Sequence, residues 1–190
     1  MPSLTLWNET NTLWLVFGLY FLASMRHRIQ VKRFAPLPSL ERVCFILAIV
    51  LVFFPRMHLS FLAGRFHHSQ TIAVAGLILT ILGLAFSAWA RDVLGRNWSG
   101  RVIIQVDHQL ITAGPYAYVR HPLYTGLLTA FAGTALVSGD YGSLLGLFLA
   151  VNIFRLKARR EEQLLEAEFG SGYTVYRAHT GGILPRIAHV

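Results

Sequence analysis

The feature that most constrains this chain is an uncharged stretch at 71–90, TIAVAGLILTILGLAFSAWA. As an α-helix, about twenty residues extend about 30 Å, which is the thickness of the hydrocarbon core of a bilayer. The composition agrees with a membrane location, since 54% of the 190 residues are hydrophobic and only 14% are charged. A soluble domain carries about 25% charged residues. The stretch therefore predicts a membrane-spanning helix.

Further apolar segments accompany it, at about 11–25, 39–54, 123–138 and 142–154. The sequence shows no strand alternation and no internal repeat, and a bilayer admits only helices or closed barrels. We therefore expect an all-α integral membrane protein with a single membrane domain, 1–190, and about five transmembrane helices. Three of these helices are expected in residues 1–90.

The basic residues indicate the orientation. If the five segments alternate in direction, every Lys and Arg except Arg56 and Arg65 lies on one side of the membrane. Basic residues are enriched on the cytoplasmic side of membrane proteins. We therefore expect the N-terminus outside and the C-terminus in the cytoplasm. The net charge of +8 then reflects basic loops flanking apolar spans, and no nucleic-acid partner is expected.

The fourth and fifth segments are short, about 24 Å and 20 Å as helices, and are joined by the turn SGDYG. Small residues recur at every fourth position on both segments: Gly126, Ala130 and Thr134 on one, and Gly142, Gly146 and Ala150 on the other. Such spacing lets two helix backbones approach closely. We expect a tight, short hairpin, and two ordinary spans with incidental small residues are the alternative.

The charged stretch after residue 154 differs from the apolar segments. Leu164, Leu165 and Phe169 form an apolar stripe at helical spacing, and Gly170 and Gly172 indicate a break. We expect a cytoplasmic C-terminal helix that continues out of the fifth segment.

Two polar stretches, 91–126 and 155–186, fall on the cytoplasmic side. The hairpin would join the His121-Pro122 pair, whose proline starts a helix, to the Glu161-Glu162 pair. Aromatic rings suit a flat ligand, a carboxylate suits a cation or ribose hydroxyls, and basic residues suit an anion. A ligand with adenine, ribose, a sulfonium cation and a carboxylate would match all of these groups. His58, His67 and His68 lie in the outer loop without a ligand set, so we expect no metal site.

The stretch GPYAYVRHPLYTG at 114–126, followed by EEQLLEAEFGSGYTVYRAHTGGILPRI at 161–187, resembles the isoprenylcysteine carboxyl methyltransferase family. That family is grouped with the phospholipid N-methyltransferases and shows a GPYxxxRHPxYxG block, a Glu-Glu pair, FGxxYxxY and a proline near the end. LGRNWSG and DHQLITAG also look like the family. The resemblance covers about 91–186 and implies that 91–190 is the catalytic, cofactor-binding part of the chain.

The resemblance implies an integral membrane methyltransferase that takes S-adenosylmethionine from the cytosol and a lipophilic acceptor from the bilayer. The acceptor would be a small lipophilic molecule or a prenylated one. The sequence has no strand–GxGxxG–helix element, which disfavours a soluble Rossmann-type methyltransferase.

Carried over residue by residue, the resemblance also implies a site. The cofactor-binding residues would be Gly114, Pro115, Tyr116, His121, Pro122, Leu123, Tyr124, Gly126, Glu161 and Glu162, and backbone groups near 111–116 would read the adenine edge. Which of the two glutamates contacts the cofactor stays open, although Glu162 is expected to bind and position it. The family often has Arg four residues before the Glu pair, where this chain has Lys157. The catalytic candidates are therefore Glu162 and the basic residues Arg155, Lys157 and Arg159, one of which would hold the acceptor carboxylate.

The expected reaction is direct displacement, in which a carboxylate attacks the methyl group of the sulfonium in line. A carboxylate is ionised at neutral pH, so no general base is required. An amine acceptor would have to lose a proton, and His121 or a glutamate would then act as base.

Other functions stay open. A phospholipid or other amine N-methyltransferase has the same cofactor chemistry. An NADPH-dependent sterol-type reductase is disfavoured, since such enzymes resemble RHxNYxGD rather than the RHPLYTG found here. A non-catalytic membrane ligand-binding protein would keep the pocket without turnover. The sequence does not identify the acceptor or the oligomeric state.

Overall fold

The computed structural model describes residues 4–25, 30–36, 38–54, 64, 66 and 69–186. Some residues on which the predictions depend lie outside the described ranges. They are Arg56 and Arg65, the histidines His58, His67 and His68, and, among the basic residues counted on the cytoplasmic side, Arg26 and Arg28. The elements are α1 (Leu4–Ser24), β1 (Val31–Phe34), α2 (Ser39–Phe53), α3 (Gln70–Leu94), β2 (Ile103–Gln105), α4 (Pro122–Ser138), α5 (Tyr141–Phe169) and α6 (Ser171–His179), with 3₁₀ turns at Gly95–Asn97 and Gly114–Ala117.

The apolar segments of the sequence are helices, and their boundaries follow local chemistry. Ser69 caps α3 by accepting a hydrogen bond from the Ile72 amide at 3.2 Å, and Asp140 caps α5 in the same way through the Ser143 amide at 2.9 Å. Pro122 occupies the first position of α4, where its missing N–H is not needed. Gly139 ends α4 in the left-handed conformation with φ of 71°.

Two helices of the described residues, α3 extended to Asn97 and α5, are long and apolar enough to cross a membrane, and α4 is a shorter apolar helix. Helices α1 and α2 expose large apolar side chains, among them Leu22 and Leu40, which are 65% and 73% exposed. Exposed apolar faces of this kind suit contact with lipid. The count of five spans and the hairpin between α4 and α5 stay predictions.

The expected continuation of the fifth segment is confirmed, since α5 is one helix of 29 residues that ends at Phe169. Gly170, with φ of +53°, then starts the separate helix α6. Residues with a Cβ atom rarely adopt that backbone conformation, which explains why a glycine stands between the two helices.

The small residues of α4 and α5 pack against other helices than we expected. A Cβ atom at Gly126 of α4 would lie 2.5 Å from the Gly83 carbonyl oxygen of α3, and one at Gly133 would lie 2.4 Å from that of Gly76. A Cβ atom at Gly146 of α5 would lie 2.9 Å from the Ala48 carbonyl oxygen of α2. The interpretation of Gly126 and Gly146 as part of the α4–α5 contact was therefore wrong. They allow α4 to approach α3, and α5 to approach α2.

The expectation of no strands was also wrong in the described residues. Strand β1 pairs antiparallel with β2, with Val31 opposite Gln105 and Phe34 opposite Ile103. Lys32 of β1 forms an ion pair with Glu168 near the end of α5, at 2.5 Å. The ribbon therefore connects the segment before α2, the loop after α3 and the polar end of α5.

Candidate functional site

A cavity of about 410 Å³ lies where α4 begins, beside the second half of α5. The loop between α3 and α4, which includes β2, forms one wall, and α6 closes another side. Part of the lining is polar, with His121, Lys157 and Glu161, and part is apolar, with Phe45, Leu127 and Phe154. The cavity is therefore suited to a ligand, or a pair of ligands, with both charged and apolar parts.

Glu162 joins the two polar stretches of the sequence. Its Oε1 accepts a hydrogen bond from Arg120 Nε at 2.9 Å and lies 3.1 Å from His121 Nε2. The side chains of Arg120 and Glu162 are only 12% and 15% exposed, so solvent screens the pair weakly. This three-residue contact fixes α5 against the start of α4.

Glu161, the other glutamate, faces the cavity. Its Oε1 accepts a hydrogen bond from the Tyr124 hydroxyl, and its Oε2 lies 3.5 Å from His121 Nδ1. The rings of His121 and Tyr124 stack with centroids 5.5 Å apart and planes within 6° of parallel. The imidazole therefore lies between two carboxylates and against one aromatic face.

These neighbours shift the pKa of His121. Burial alone would lower the pKa of the imidazole, but its hydrogen bonds to Glu161 and Glu162 outweigh burial and raise the pKa above its usual value. Burial raises the pKa of the Glu161 and Glu162 carboxyls, but their contacts with His121 outweigh burial and lower it.

The chain after α6 holds His121 from the other side. The backbone amides of Arg120 and His121 donate to the carbonyl oxygens of Gly181 and Gly182, at 2.8 Å and 3.2 Å. Arg120 Nη1 also donates to the Thr180 carbonyl oxygen at 2.5 Å. The segment 180–182 thereby runs beside the residues that precede α4 and orients their side chains.

Lys157 is the basic side chain that reaches the cavity from α5. Its Nζ lies 5.2 Å from the centre of the Tyr124 ring and donates to the Gly100 carbonyl oxygen at 3.1 Å. Arg155 and Arg159 are exposed and lie outside the lining. Of the three basic candidates, the structure brings only Lys157 to the cavity.

The other predicted site residues divide into two groups. Those that line the cavity are Tyr116, His121, Leu123, Tyr124 and Glu161. Those outside the lining are Gly114, Pro115, Pro122, Gly126 and Glu162. The second group supports the first: Gly114, with φ of +59°, forms the turn before Tyr116, Pro115 and Pro122 are fully buried, Gly126 packs on α3, and Glu162 holds His121.

Several lining residues were not predicted from the sequence. Arg120 of the RHP block pairs with Glu162 and reaches the cavity edge. Ile104 of β2 and His108 after it belong to the loop wall. Tyr176 of α6 lines the cavity and donates to the Tyr116 carbonyl oxygen at 2.7 Å. The RHP block was a signal for Arg120, whereas the loop wall depends on a strand pairing that has no sequence pattern.

The described residues contain no group of three or more His, Cys, Asp or Glu side chains that could hold a metal ion.

Comparison with known proteins shows what this part of the chain is similar to. The sequence model of the isoprenylcysteine carboxyl methyltransferase (ICMT) family matches residues 76–167, which include α4 and both glutamates. Over these residues, the chain is similar to the ICMT family. Among curated relatives, the protein-S-isoprenylcysteine O-methyltransferase of Schizosaccharomyces pombe is 38% identical over 82 residues, which is 43% of this chain and 35% of that protein. Protein-S-isoprenylcysteine O-methyltransferase B of Arabidopsis thaliana is 30% identical over 131 residues, which is 66% of this chain and 61% of that protein.

The matched part of the chain spans between about a third and three fifths of the length of these ICMT relatives. The fold of the chain is also that of a solved ICMT, described as a eukaryotic intramembrane Ras methyltransferase. The TM-score is 0.67 at 22% identity, over 98% of this chain and 68% of the solved one. The chain therefore shares the fold of this intramembrane protein.

Proposed function

We propose that this chain is a member of the ICMT family and transfers a methyl group from S-adenosylmethionine to the carboxylate of a lipophilic acceptor. The proposed acceptor class is an isoprenylcysteine-like thioether acid. The observation that carries the proposal is the cavity at the start of α4, where the carboxylate of Glu161 and the cation of Lys157 lie beside apolar walls. The similar proteins of Schizosaccharomyces pombe and Arabidopsis thaliana, which are protein-S-isoprenylcysteine O-methyltransferases, support the same reaction.

The lining fits the methyl donor. S-Adenosylmethionine carries a sulfonium and an ammonium cation, and Glu161 offers a negative charge at the cavity surface. The aromatic faces of Tyr124 and Tyr116 suit a cation and a flat ring. The volume of about 410 Å³ lies within the range of small-molecule sites. The residues present therefore match the charge and shape of this donor.

The residues of the chain would act by positioning. The bound donor would supply an electrophilic methyl group, which the acceptor carboxylate takes as the C–S bond breaks and its electron pair stays on sulfur. Lys157 would hold the acceptor carboxylate, while His121, held between Glu161 and Glu162, would fix the carboxylate that faces the donor. No residue needs to remove a proton, because the acceptor is already ionised. Orientation and exclusion of water would then account for the acceleration.

We further propose that the five apolar segments span the membrane, with α4 and α5 as a short hairpin, and that the site in 91–190 opens to the cytoplasm. The N-terminus would be outside and the C-terminus inside. The distribution of basic residues in the sequence supports this orientation.

The experiment uses purified protein in lipid nanodiscs, S-adenosylmethionine labelled on the methyl carbon, and N-acetyl-S-farnesylcysteine as acceptor. We expect label to enter the lipid phase as a methyl ester that alkali releases as methanol. The matched control acceptor has a carboxamide in place of the carboxylate and should receive no label. Transfer to a lipid amine, at a rate that follows amine deprotonation, would instead establish the N-methyltransferase alternative. Donor binding without transfer to any acid or amine would contradict both.

A further inference from the structure

A second cavity, of about 290 Å³, lies beside the ends of α1 and α3. Ser24 and Met25 line it from the end of α1, and residues within 95–101 line it from the loop after α3. Residues 98–101 form a wall that it shares with the cavity at the start of α4. Its lining, as far as the structure describes it, includes none of the predicted donor-binding or catalytic residues. The proposed methyl transfer therefore gives this second cavity no role.

The lining of the second cavity is basic. It contains Arg91, Arg96 and Arg101, and no acidic residue stands among the described residues that line it. Arg96 and Arg101 are exposed, and neither forms an ion pair with a described residue. Asp92, next to Arg91 in the chain, lies outside the lining and accepts a hydrogen bond from the Tyr20 hydroxyl. Two guanidinium groups of this arginine pocket are therefore available to an anion.

Arg91 adds a fixed charge to the wall of the arginine pocket. It is only 6% exposed, and its guanidinium lies over the Trp98 ring, 4.6 Å from the ring centre. Its two terminal nitrogens donate to the carbonyl oxygens of Gly95 and Ser24, each at 2.8 Å, while Nε is buried without a hydrogen-bond partner among the described residues. Buried charges in proteins are as a rule paired. A buried cation that binds carbonyl oxygens and no carboxylate of the described chain indicates an anion from outside it.

The position of the arginine pocket favours a membrane lipid as the source of that anion. The pocket lies where α1 and α3 end, at the face that the distribution of basic residues assigns to the cytoplasm. Leu22 and Met25, at the end of α1, are 65% and 50% exposed, so an apolar surface adjoins the arginines. Basic pockets between membrane helices on the cytoplasmic side suit anionic headgroups. Acyl chains would cover this apolar surface, whereas free phosphate would gain nothing from it.

We propose that the arginine pocket binds the phosphate group of an anionic phospholipid from the cytoplasmic leaflet. Arg96 and Arg101 donate to the phosphate oxygens, since guanidinium groups match the geometry of phosphate. Arg91 supplies the fixed charge behind them, and the acyl chains lie along the exposed face of α1. Lipid binding at this pocket goes beyond the proposed methyl transfer, of which it shares only the orientation in the membrane.

The test is the affinity of the purified protein in detergent for dioleoylphosphatidylglycerol, measured by native mass spectrometry. We expect Arg96→Gln and Arg101→Gln each to raise Kd about five- to tenfold, because each removes a charge-assisted hydrogen bond. The matched control is Arg42→Gln, which removes an exposed arginine at the start of α2 that lines neither cavity, and its Kd should equal that of the wild type. An equal rise in all three variants, or a rise in none of them, would overturn the proposal.

Three further ligands identify what the arginine pocket recognises. Dioleoylphosphatidylcholine has the phosphate without the net charge, oleate has a negative charge without the phosphate, and inorganic phosphate has no acyl chain. We expect the two pocket variants to weaken phosphatidylglycerol binding much more than binding of phosphatidylcholine or oleate, and millimolar inorganic phosphate to leave the lipid bound. An equal effect on oleate would show that the pocket responds to charge alone. Displacement of the lipid by inorganic phosphate would assign the pocket to free phosphate, and either result would contradict the proposal.

Two measurements without lipid separate binding from damage to the fold or to the neighbouring cavity. Because Arg96 is exposed and unpaired among the described residues, Arg96→Gln should keep the wild-type Tm. Arg96 does not line the cavity at the start of α4, so this variant should also keep the wild-type affinity for S-adenosylhomocysteine. A fall in Tm or in donor-product affinity, parallel to the loss of lipid affinity, would overturn the proposal. Failure of the wild type to transfer methyl groups would overturn the proposed function and leave lipid binding in place.

Discussion

Replacement of Glu162 by glutamine tests whether the charged contact between α4 and α5 organises the site. One carboxylate oxygen of Glu162 serves both Arg120 and His121, at 2.9 Å and 3.1 Å. Hydrogen bonds to a charged group contribute about 1.5–3 kcal/mol and neutral ones about 0.5–1.5 kcal/mol. Because the acceptor is shared by two donors, loss of its charge should lower the free energy of unfolding by about 2–3 kcal/mol. Solvent screens the contact only weakly, since Arg120 and Glu162 are little exposed.

For a chain of this length, such a loss lowers Tm by about 5–10 °C. The assay is thermal unfolding in detergent at pH 7, followed by intrinsic tryptophan fluorescence at one heating rate for all variants. The control is Glu166→Gln on the same helix, which removes an ion pair with Arg177 of 3.4 Å whose side chains are 48% and 50% exposed. Exposed pairs contribute about 0–1 kcal/mol, so its Tm should change by less than about 3 °C. Equal shifts in the two variants would refute the reasoning.

Further predictions concern pH, packing and the acceptor. The pKa of His121 is raised in the folded protein, so protonation of His121 stabilises the fold. This stabilisation is complete below pH 6.5 and is lost as pH rises through the folded pKa. Unfolding in urea should therefore require less denaturant at pH 8.5 than at pH 6, and His121→Asn should reduce that difference. Gly126→Ala puts a Cβ atom 2.5 Å from a carbonyl oxygen of α3 and should lower stability by about 1–3 kcal/mol, whereas Gly18→Ala meets no atom within 4 Å and should be neutral or stabilising in the same denaturation assay. Lys157→Met should raise KM for the thioether acid about tenfold or more, since it removes a charge-assisted hydrogen bond, while exposed Arg159→Met should leave KM unchanged in the labelled-methyl assay.

The sequence was sufficient to predict the helices, and to predict that the two polar stretches lie close together. Uncharged length predicted α3, the proline at 122 predicted the start of α4, and the leucine stripe with the glycine at 170 predicted α5 and its end. These signals are local, because they depend on lipid thickness, fixed φ angles and helical spacing. The close approach of His121 to both glutamates, expected from a hairpin, is present in the structure.

The sequence did not predict which helices pack against each other, nor which residues form the loop wall of the cavity. A small-residue stripe shows that a helix can be approached closely, and it does not say by which helix, so Gly126 was paired with α5 when it faces α3. Strands β1 and β2 have four and three residues, too few for an alternation to be visible. The cavity walls at Ile104 and His108 depend on that ribbon and could not be predicted.

The site shows the same limit at the level of single side chains. Consecutive residues on a helix point about 100° apart, so only one of Glu161 and Glu162 can face the cavity, and the resemblance led us to expect Glu162 there. The structure directs Glu161 to the cavity and Glu162 to Arg120. The exposure of Arg155 and Arg159 likewise depends on how α5 is rotated against its neighbours.

The central claim is that one cavity between the start of α4 and the second half of α5 holds the methyl donor. The most direct measurement is an experimental structure of the protein in lipid nanodiscs with S-adenosylhomocysteine bound. We expect ligand density in contact with Tyr124 and Glu161, with Lys157 in the wall of the same cavity. Density elsewhere on the protein, with this cavity filled by side chains or lipid, would contradict it.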